Sequence, residues 1–411
     1  MSNRILRAAL CICLGIVPTA PLTHASEAAK QSEERSDFLG DAYNRFGFRL
    51  FEQIAKEDFG KNIFISPASA AFALAMLYNG AEGITRAEMK EALELSEFSL
   101  EEVNEANASL LTSLNEGDSS VELAVANSIW YRNTFQFRQA FLDRTSRSYE
   151  AKIAALDFDD PGAVDIINGW VKENTREKIS SIIDKVNSLD VMFLINAVYF
   201  KGTWTHPFRK ELTTDRTFHL LHGTTVEVPM MQQTKSFQYF ETQTFQAIRL
   251  PYGKGSFSML LFLPADDYGL ERFVAEVRPE NWAEWESRFS ARDVNIVMPR
   301  FKMEYDRRFN DPLIALGMKS AFDKERADLT GLWEAPEERS FNLYVSFVKQ
   351  KTFLEVNEEG TEAAAVTGIG IVATSMPPPP VDLIVDRPFL CFIVDGKSGL
   401  ILFMGAIVDP S

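Results

Sequence analysis

Five runs of this chain are apolar on both alternating faces, and they confine the fold more tightly than any other feature. VMFLINAVYF (191–200), SFSMLLFLP (256–264), VNIVMPRF (294–301), FLCFIVD (389–395) and LILFMGAIV (400–408) are each about strand length. A strand with no polar face has to lie inside a sheet covered on both sides. Because the runs are remote from one another in sequence, they predict large mixed sheets built by long-range pairing. The preceding residues read differently. Asp37 is placed to cap a helix carrying Phe38, Leu39, Tyr43, Phe46, Leu50, Phe51 and Ile54. Ser66-Pro67 reads as the cap and first position of a second helix that ends near Asn79-Gly80. Thr85-Arg-Ala-Glu88 and Ser99-Leu-Glu-Glu102 have the spacing of capping boxes, and Asp160-Pro161 opens a further helix through Trp170. Helices first and strands later predict the α+β class. No linker is visible after residue 37, so the sequence predicts one large domain over 26–411.

The 411 residues are 46% hydrophobic and 24% charged, which supplies ample material for a packed core. The start, MSNRILRAALCICLGIVPTAPLTHAS, has Arg4 and Arg7, an apolar run from Ala8 to Val17 and a small-x-small site at Thr23-His24-Ala25. That is the pattern of a secretory signal over residues 1–25, and it predicts an exported protein, extracellular or periplasmic. Cys11 and Cys13 would leave with it, so that Cys391 alone remains and no internal disulfide can form. The formal net charge is −16; without Arg4 and Arg7 it becomes −18, from 40 basic against 58 acidic residues. A balance this acidic argues against nucleic acid or a heparin-like sugar as partner. No further stretch reaches membrane-spanning length.

Enzymatic and cofactor chemistry finds little footing. Gly368-Ile-Gly370-Ile-Val-Ala373 matches G-x-G-x-x-A, but Pro377 to Pro380 forbid the helix that such a motif needs behind it. His219 and His222 could approach one metal, yet no further His or Cys stands near them. There is no G-x-S-x-G elbow and no phosphate loop around Gly396-Lys397-Ser398. Neither cofactor nor metal is expected. Asn107-Ala-Ser109 is a candidate glycan acceptor.

The longest stretch without a helix period is NEEGTEAAAVTGIGIVATSMPPPP (357–380). Connections beyond about 12–15 residues are usually working parts. On alternate residues, Thr361, Ala363, Ala365, Thr367, Ile369, Ile371 and Ala373 form one face that is small or apolar throughout. Glu362 and Ala364 fall on the other face, and Gly360 supplies free backbone torsion just ahead. The stretch could therefore be a loop in one state and a sheet strand in another.

Eight motifs in register resemble the serpin family from about Asp37 to Pro410. They are Asn62-Ile-Phe-Ile-Ser66-Pro67-Ala-Ser69, Asn196-Ala-Val-Tyr-Phe-Lys201-Gly202-Thr-Trp204, Val228-Pro-Met-Met231, Leu250-Pro-Tyr252, Ala327-Asp-Leu-Thr-Gly331, Glu358-Glu-Gly360-Thr-Glu-Ala-Ala364, Asp386-Arg-Pro-Phe389 and Phe403-Met-Gly405. The resemblance implies a monomeric suicide inhibitor of peptidases. Its bait loop, about 358–380, would insert as a new strand after cleavage. Counting from Gly360 as in the family gives a reactive bond Thr374–Ser375, with Ile371, Val372, Ala373 and Met376 as flanking subsites. Thr374 would suit a shallow elastase-like or subtilisin-like pocket. Glu359, Gly360, Thr361, Glu362, Ala363, Ala364 and Ala365 correspond to the family's hinge. Ser66, Ser69, Asn196 and Gln350 correspond to a polar cluster beneath the sheet opening, with Gln350 where the family usually has a histidine. Trp204 corresponds to a tryptophan near the site where insertion begins. The alternatives are a non-inhibitory member acting as carrier or chaperone, and an inhibitor of papain-like cysteine peptidases.

Overall fold

The structure is a computed structural model that describes residues 22–115, 118, 120–334, 342–359 and 379–411. Of the expected site residues, Gly360 to Ala365, Ile371 to Ala373, Thr374, Ser375 and Met376 lie outside the described residues, as do residues 1–21.

The described residues form helices α1 (Leu22–Asp58), α2 (Pro67–Tyr78), α3 (Gly83–Ala92), α4 (Leu100–Asn115), α5 (Gln139–Tyr149), α6 (Ala163–Asn174), α7 (Leu270–Glu276), α8 (Pro279–Arg288) and α9 (Asn310–Ala315). The strands are β1 (Ile63–Ile65), β2 (Val121–Arg132), β3 (Lys152–Leu156), β4 (Met192–Gly202), β5 (Thr214–His219), β6 (Thr225–Glu241) and β7 (Phe245–Tyr252). They continue with β8 (Phe257–Pro264), β9 (Ser290–Pro299), β10 (Phe301–Arg308), β11 (Phe347–Val356), β12 (Val381–Ile384), β13 (Phe389–Asp395) and β14 (Ile401–Ile407). A five-stranded sheet runs β10-β11-β4-β2-β3, and a nine-stranded sheet runs β1-β14-β13-β8-β7-β6-β9-β12 with β5 on β6. The α+β class holds.

The two-faced apolar runs became internal strands, as burial on both sides demands. β4 lies mid-sheet: Ile195, Ala197 and Tyr199 pack toward α6 and the segment after it, while Leu194, Val198 and Phe200 enter the main core. One run divides. Residues 294–301 leave the larger sheet at Pro299 and enter the smaller one at Phe301, because strand periodicity says nothing about which sheet a strand joins.

Local signals fared unevenly. Ser99 and Glu102 do form a reciprocal box, Ser99 N–H to Glu102 Oε2 at 2.9 Å and Glu102 N–H to Ser99 Oγ at 3.2 Å. Thr85 and Glu88 do not; α3 begins at Gly83, and Thr85 Oγ1 instead meets Ser320 Oγ and accepts from Asp328 N–H. Asp37 does not open a helix, since α1 runs straight through it, and Phe38 is 60% exposed. Asn107 is not a glycan acceptor in the folded chain. It is fully buried, accepting from Tyr43 Oη and donating to Tyr149 Oη.

Candidate functional site: a parting seam and its anchored exit

The smaller sheet has one junction with unusual consequences. β11 and β4 are direct neighbours and run parallel, with Phe347 opposite Phe193 through Leu354 opposite Phe200, whereas β10–β11 and β2–β4 are antiparallel. The chain leaves β11 at Val356, turns through Asn357 to Glu359, and reappears at Pro379 just before β12 on the edge of the other sheet. The 19 residues between, 360–378, therefore connect the top of an internal strand to a distant edge.

Aromatic pairs hold the front of the seam. Phe193 stacks on Phe347 with centroids 4.6 Å apart and planes within 6°, and Tyr199 meets Phe353 at 5.8 Å. Lys178, from the segment after α6, lies over both Tyr199 and Phe353.

The back of the seam is polar and dry. Gln350 and Asn196 are opposite residues, as are Asn196 and Asn127, so three amides cross β11, β4 and β2 in a row. Gln350 Nε2 donates to Asn196 Oδ1, and Asn196 Nδ2 donates to Asn127 Oδ1 and to Ser69 Oγ. Gln350 also accepts from Ser66 N–H and donates to Ser66 C=O, both at 2.8 Å. Ser66 precedes Pro67 at the start of α2, but its hydroxyl makes no cap; it donates to Leu402 C=O at 2.7 Å. Thr352 Oγ1 donates to Phe64 C=O at 2.5 Å one step further up. None of these groups can turn to water, so each requires its partner. The four expected residues Ser66, Ser69, Asn196 and Gln350 thus converge. Asn127 and Thr352 were missed by sequence reasoning. The visible hint for Asn127 was a lone amide inside a long strand run.

The exit from β11 is fastened at the top. Trp204 Nε1 donates to Asn357 C=O at 2.9 Å, Trp204 N–H to Glu359 C=O at 3.3 Å and Phe208 N–H to Glu358 C=O at 2.8 Å. The Trp204 ring stacks on Tyr252 at 4.3 Å. Glu358 is 4% exposed, accepts from Thr213 Oγ1 at 2.8 Å and has Arg300 Nη1 at 3.7 Å. Glu359 pairs with Lys210, and that hydrogen-bonded carboxylate holds the ammonium above its ordinary pKa. Lys210, Arg300, Asn357, Glu358 and Glu359 border an open cleft of about 560 Å³. Among the described residues no group of three or more His, Cys, Asp or Glu could hold a metal, and no helix is long and apolar enough to cross a membrane.

A parallel internal pair with a long connection leaving one of its tops is a distinctive architecture, and the comparisons give it a family. The family model described as Serpin (serine protease inhibitor) matches residues 41–410. Leukocyte elastase inhibitor of Sus scrofa is 36% identical over 384 residues, covering 90% of this chain and 99% of the relative, and the Homo sapiens protein is 35% identical with the same coverage. Serpin B13 of Homo sapiens is 34% identical over 403 residues, covering 91% and 100%. Among solved structures, the thermophilic serpin tengpin in its native state superposes with TM-score 0.81 at 32% identity, covering 90% of this chain and 94% of that one. Thyroxine-binding globulin in complex with thyroxine does so with TM-score 0.81 at 27% identity, covering 90% and 99%. This chain belongs to the serpin family. Its relatives are named as protease inhibitors and not as enzymes.

The relatives also correct one expectation. Leukocyte elastase inhibitor and serpin B13 belong to the intracellular branch of the family, so the reading of this chain as secreted does not stand.

Proposed function

We propose that this serpin is a suicide-substrate inhibitor of serine peptidases with a shallow primary pocket, cleaved at Thr374–Ser375. The observation that carries the reading is the parallel β11–β4 junction. A segment that leaves the top of β11 and folds back runs antiparallel to β11, and therefore antiparallel to β4 as well. Its entry exchanges one parallel pairing for two antiparallel ones, which are slightly more stable per residue. It also buries Ile369 and Ile371, each worth roughly 1.5–3 kcal/mol. This is the strand addition for which the family is known.

In chemical terms the peptidase serine attacks the Thr374 carbonyl, the Ser375 amine leaves with a proton, and Thr374 remains esterified to the enzyme. Insertion then carries the ester away from the site of attack. Pulling the nucleophile from its oxyanion donors removes contacts worth about 10² to 10³ in rate apiece, and deacylation stalls. Glu358 and Glu359, held by Thr213, Lys210, Trp204 and Phe208, fix the end of β11 from which the reversal would start. Thr374, β-branched and uncharged, offers nothing to a pocket built for Lys or Arg.

Incubation with leukocyte elastase or subtilisin should give an SDS-stable complex about the summed size of the two chains less the C-terminal fragment. The cleaved inhibitor should melt well above the intact one. A loop cut at 374–375 with no complex, and no gain in melting temperature, overturns the proposal.

A further inference from the structure

The strap that fastens the exit of β11, Trp204 to Phe208, rests on β6 through a histidine. Pro207 disfavours helical torsions at His206, which lies between the two backbone N–H groups, of Trp204 and Phe208, that hold Glu359 and Glu358. Alternate residues of β6 share one face, and Gln233, Lys235 and Phe237 all meet His206 from it. Gln233 Nε2 donates to His206 C=O at 3.0 Å, the Phe237 ring stands edge-on to the imidazole at 6.1 Å, and the Lys235 ammonium is close enough to repel a charge on it. Gln233 and Phe237 are buried, and Lys235 is exposed.

The surrounding elements offer a charged imidazole little relief. On β9 the residues opposite this face are Ile296, Val294 and Arg292, a further cation and no carboxylate. Glu227 and Glu241 share the face of β6, but they stand four or more residues away and are bonded to Thr217 and Tyr239. Arg209, Lys210 and Glu211 follow on the strap's own chain, and Lys210 is paired with Glu359. Glu358, the other carboxylate of the exit, is taken by Thr213 and Arg300. Burial first, and then Lys235, hold the imidazole below its ordinary value of 6.5. A histidine that takes up its proton less readily when folded adds stability above its ordinary pKa, and that stability drains as the pH falls through it. We propose that His206 makes the hold on the exit of β11 acid-sensitive: once charged, it loosens the strap from β6, and with it the two N–H groups that grip Glu358 and Glu359. The device acts in the uncut chain and does not depend on strand insertion.

The test is hydrogen exchange on the intact chain, followed at the Trp204 and Phe208 amides and corrected for the intrinsic pH dependence of exchange. Their protection should fall about threefold or more between about pH 7.5 and about pH 5.5, above the range in which ordinary carboxylates titrate. His206→Gln, uncharged throughout, should keep protection level across that range. Lys235→Gln should move the step to higher pH, and His206→Lys should show at neutral pH the low protection that the wild type reaches in acid. Wild-type protection that does not change, or a step that survives in His206→Gln, overturns the inference. Should the amides of α4 also lose protection in His206→Gln, the fold itself has suffered and Lys235→Gln decides: a step left at its wild-type pH overturns the inference.

Discussion

Gln350 pairs with Ser66 much as a neighbouring strand would, accepting from its N–H and donating to its C=O, and spends a further donor on Asn196. Gln350→Ala would leave two buried groups, Ser66 N–H and Asn196 Oδ1, without partners, each costing about 1–3 kcal/mol, while Ser66 C=O would keep its bond from Ala70 N–H. The native state should lose on the order of 3 kcal/mol, read as a lower midpoint in denaturant with an unchanged slope. An amide does not titrate, so this position should add no step to the wild type's melting temperature through the range where a histidine would change charge. Gln350→His should introduce a dependence there. A second residue reports on the fold as a whole. Burial pushes the Cys391 thiol up to about 12, so it stays protonated and unreactive at neutral pH. Labelling by a thiol reagent should therefore proceed only as fast as the chain opens; prompt labelling of native protein would show that β13 is not packed as described. At this scale the sequence carried Ser66, Ser69, Asn196 and Gln350 through resemblance, but neither Asn127 and Thr352 nor the backbone partners. Leu402, Phe64 and Asn357 contribute carbonyls, and since every residue has one, nothing in the sequence marks those that matter.

Among elements, the contrast between the two capping boxes shows where local reading holds. Ser99 and Glu102 bonded each other, Glu102 giving one carboxylate oxygen to Ser99 and the other to Arg35, whereas Thr85 and Glu88 lie against the segment around Ser320, which took both side chains. Tertiary partners outbid a local motif whenever they are nearer than water. The five apolar runs were legible because burial on both faces leaves a continuous signal, while the handover at Pro299 was not, since both strands share one period. The expected insertion face also belongs to this scale. Thr361→Arg or Ala363→Arg would place a guanidinium inside the smaller sheet at a penalty of several kcal/mol. Each should turn the chain from inhibitor into substrate, seen on a gel as cleaved serpin in place of complex. Unchanged inhibition would mean that the other face of the segment enters.

For the whole molecule, acid should loosen the clamp between α1 and β10. Burial works against ionised Asp58, but hydrogen bonds from Tyr305 and Lys61 and the Arg307 guanidinium outweigh it and hold the carboxyl below its ordinary value of 3.8. A carboxyl that gives up its proton more readily when folded adds stability above its ordinary pKa, and that stability drains away as the pH falls through the lowered one. From about pH 5 to about pH 3 the wild type should therefore lose more melting temperature than Asp58→Asn, and parallel curves would remove Asp58 from the account. The long-range order of the larger sheet has a consequence for synthesis. Ile63–Ile65 can pair only with Met404–Ala406, and Phe64 stacks on Phe403. A nascent chain must therefore keep Ile63–Ile65 waiting, unpaired and greasy, until Met404–Ala406 have been made. Until then it is a client for chaperones, and any premature stop after β12 yields a polypeptide that cannot close.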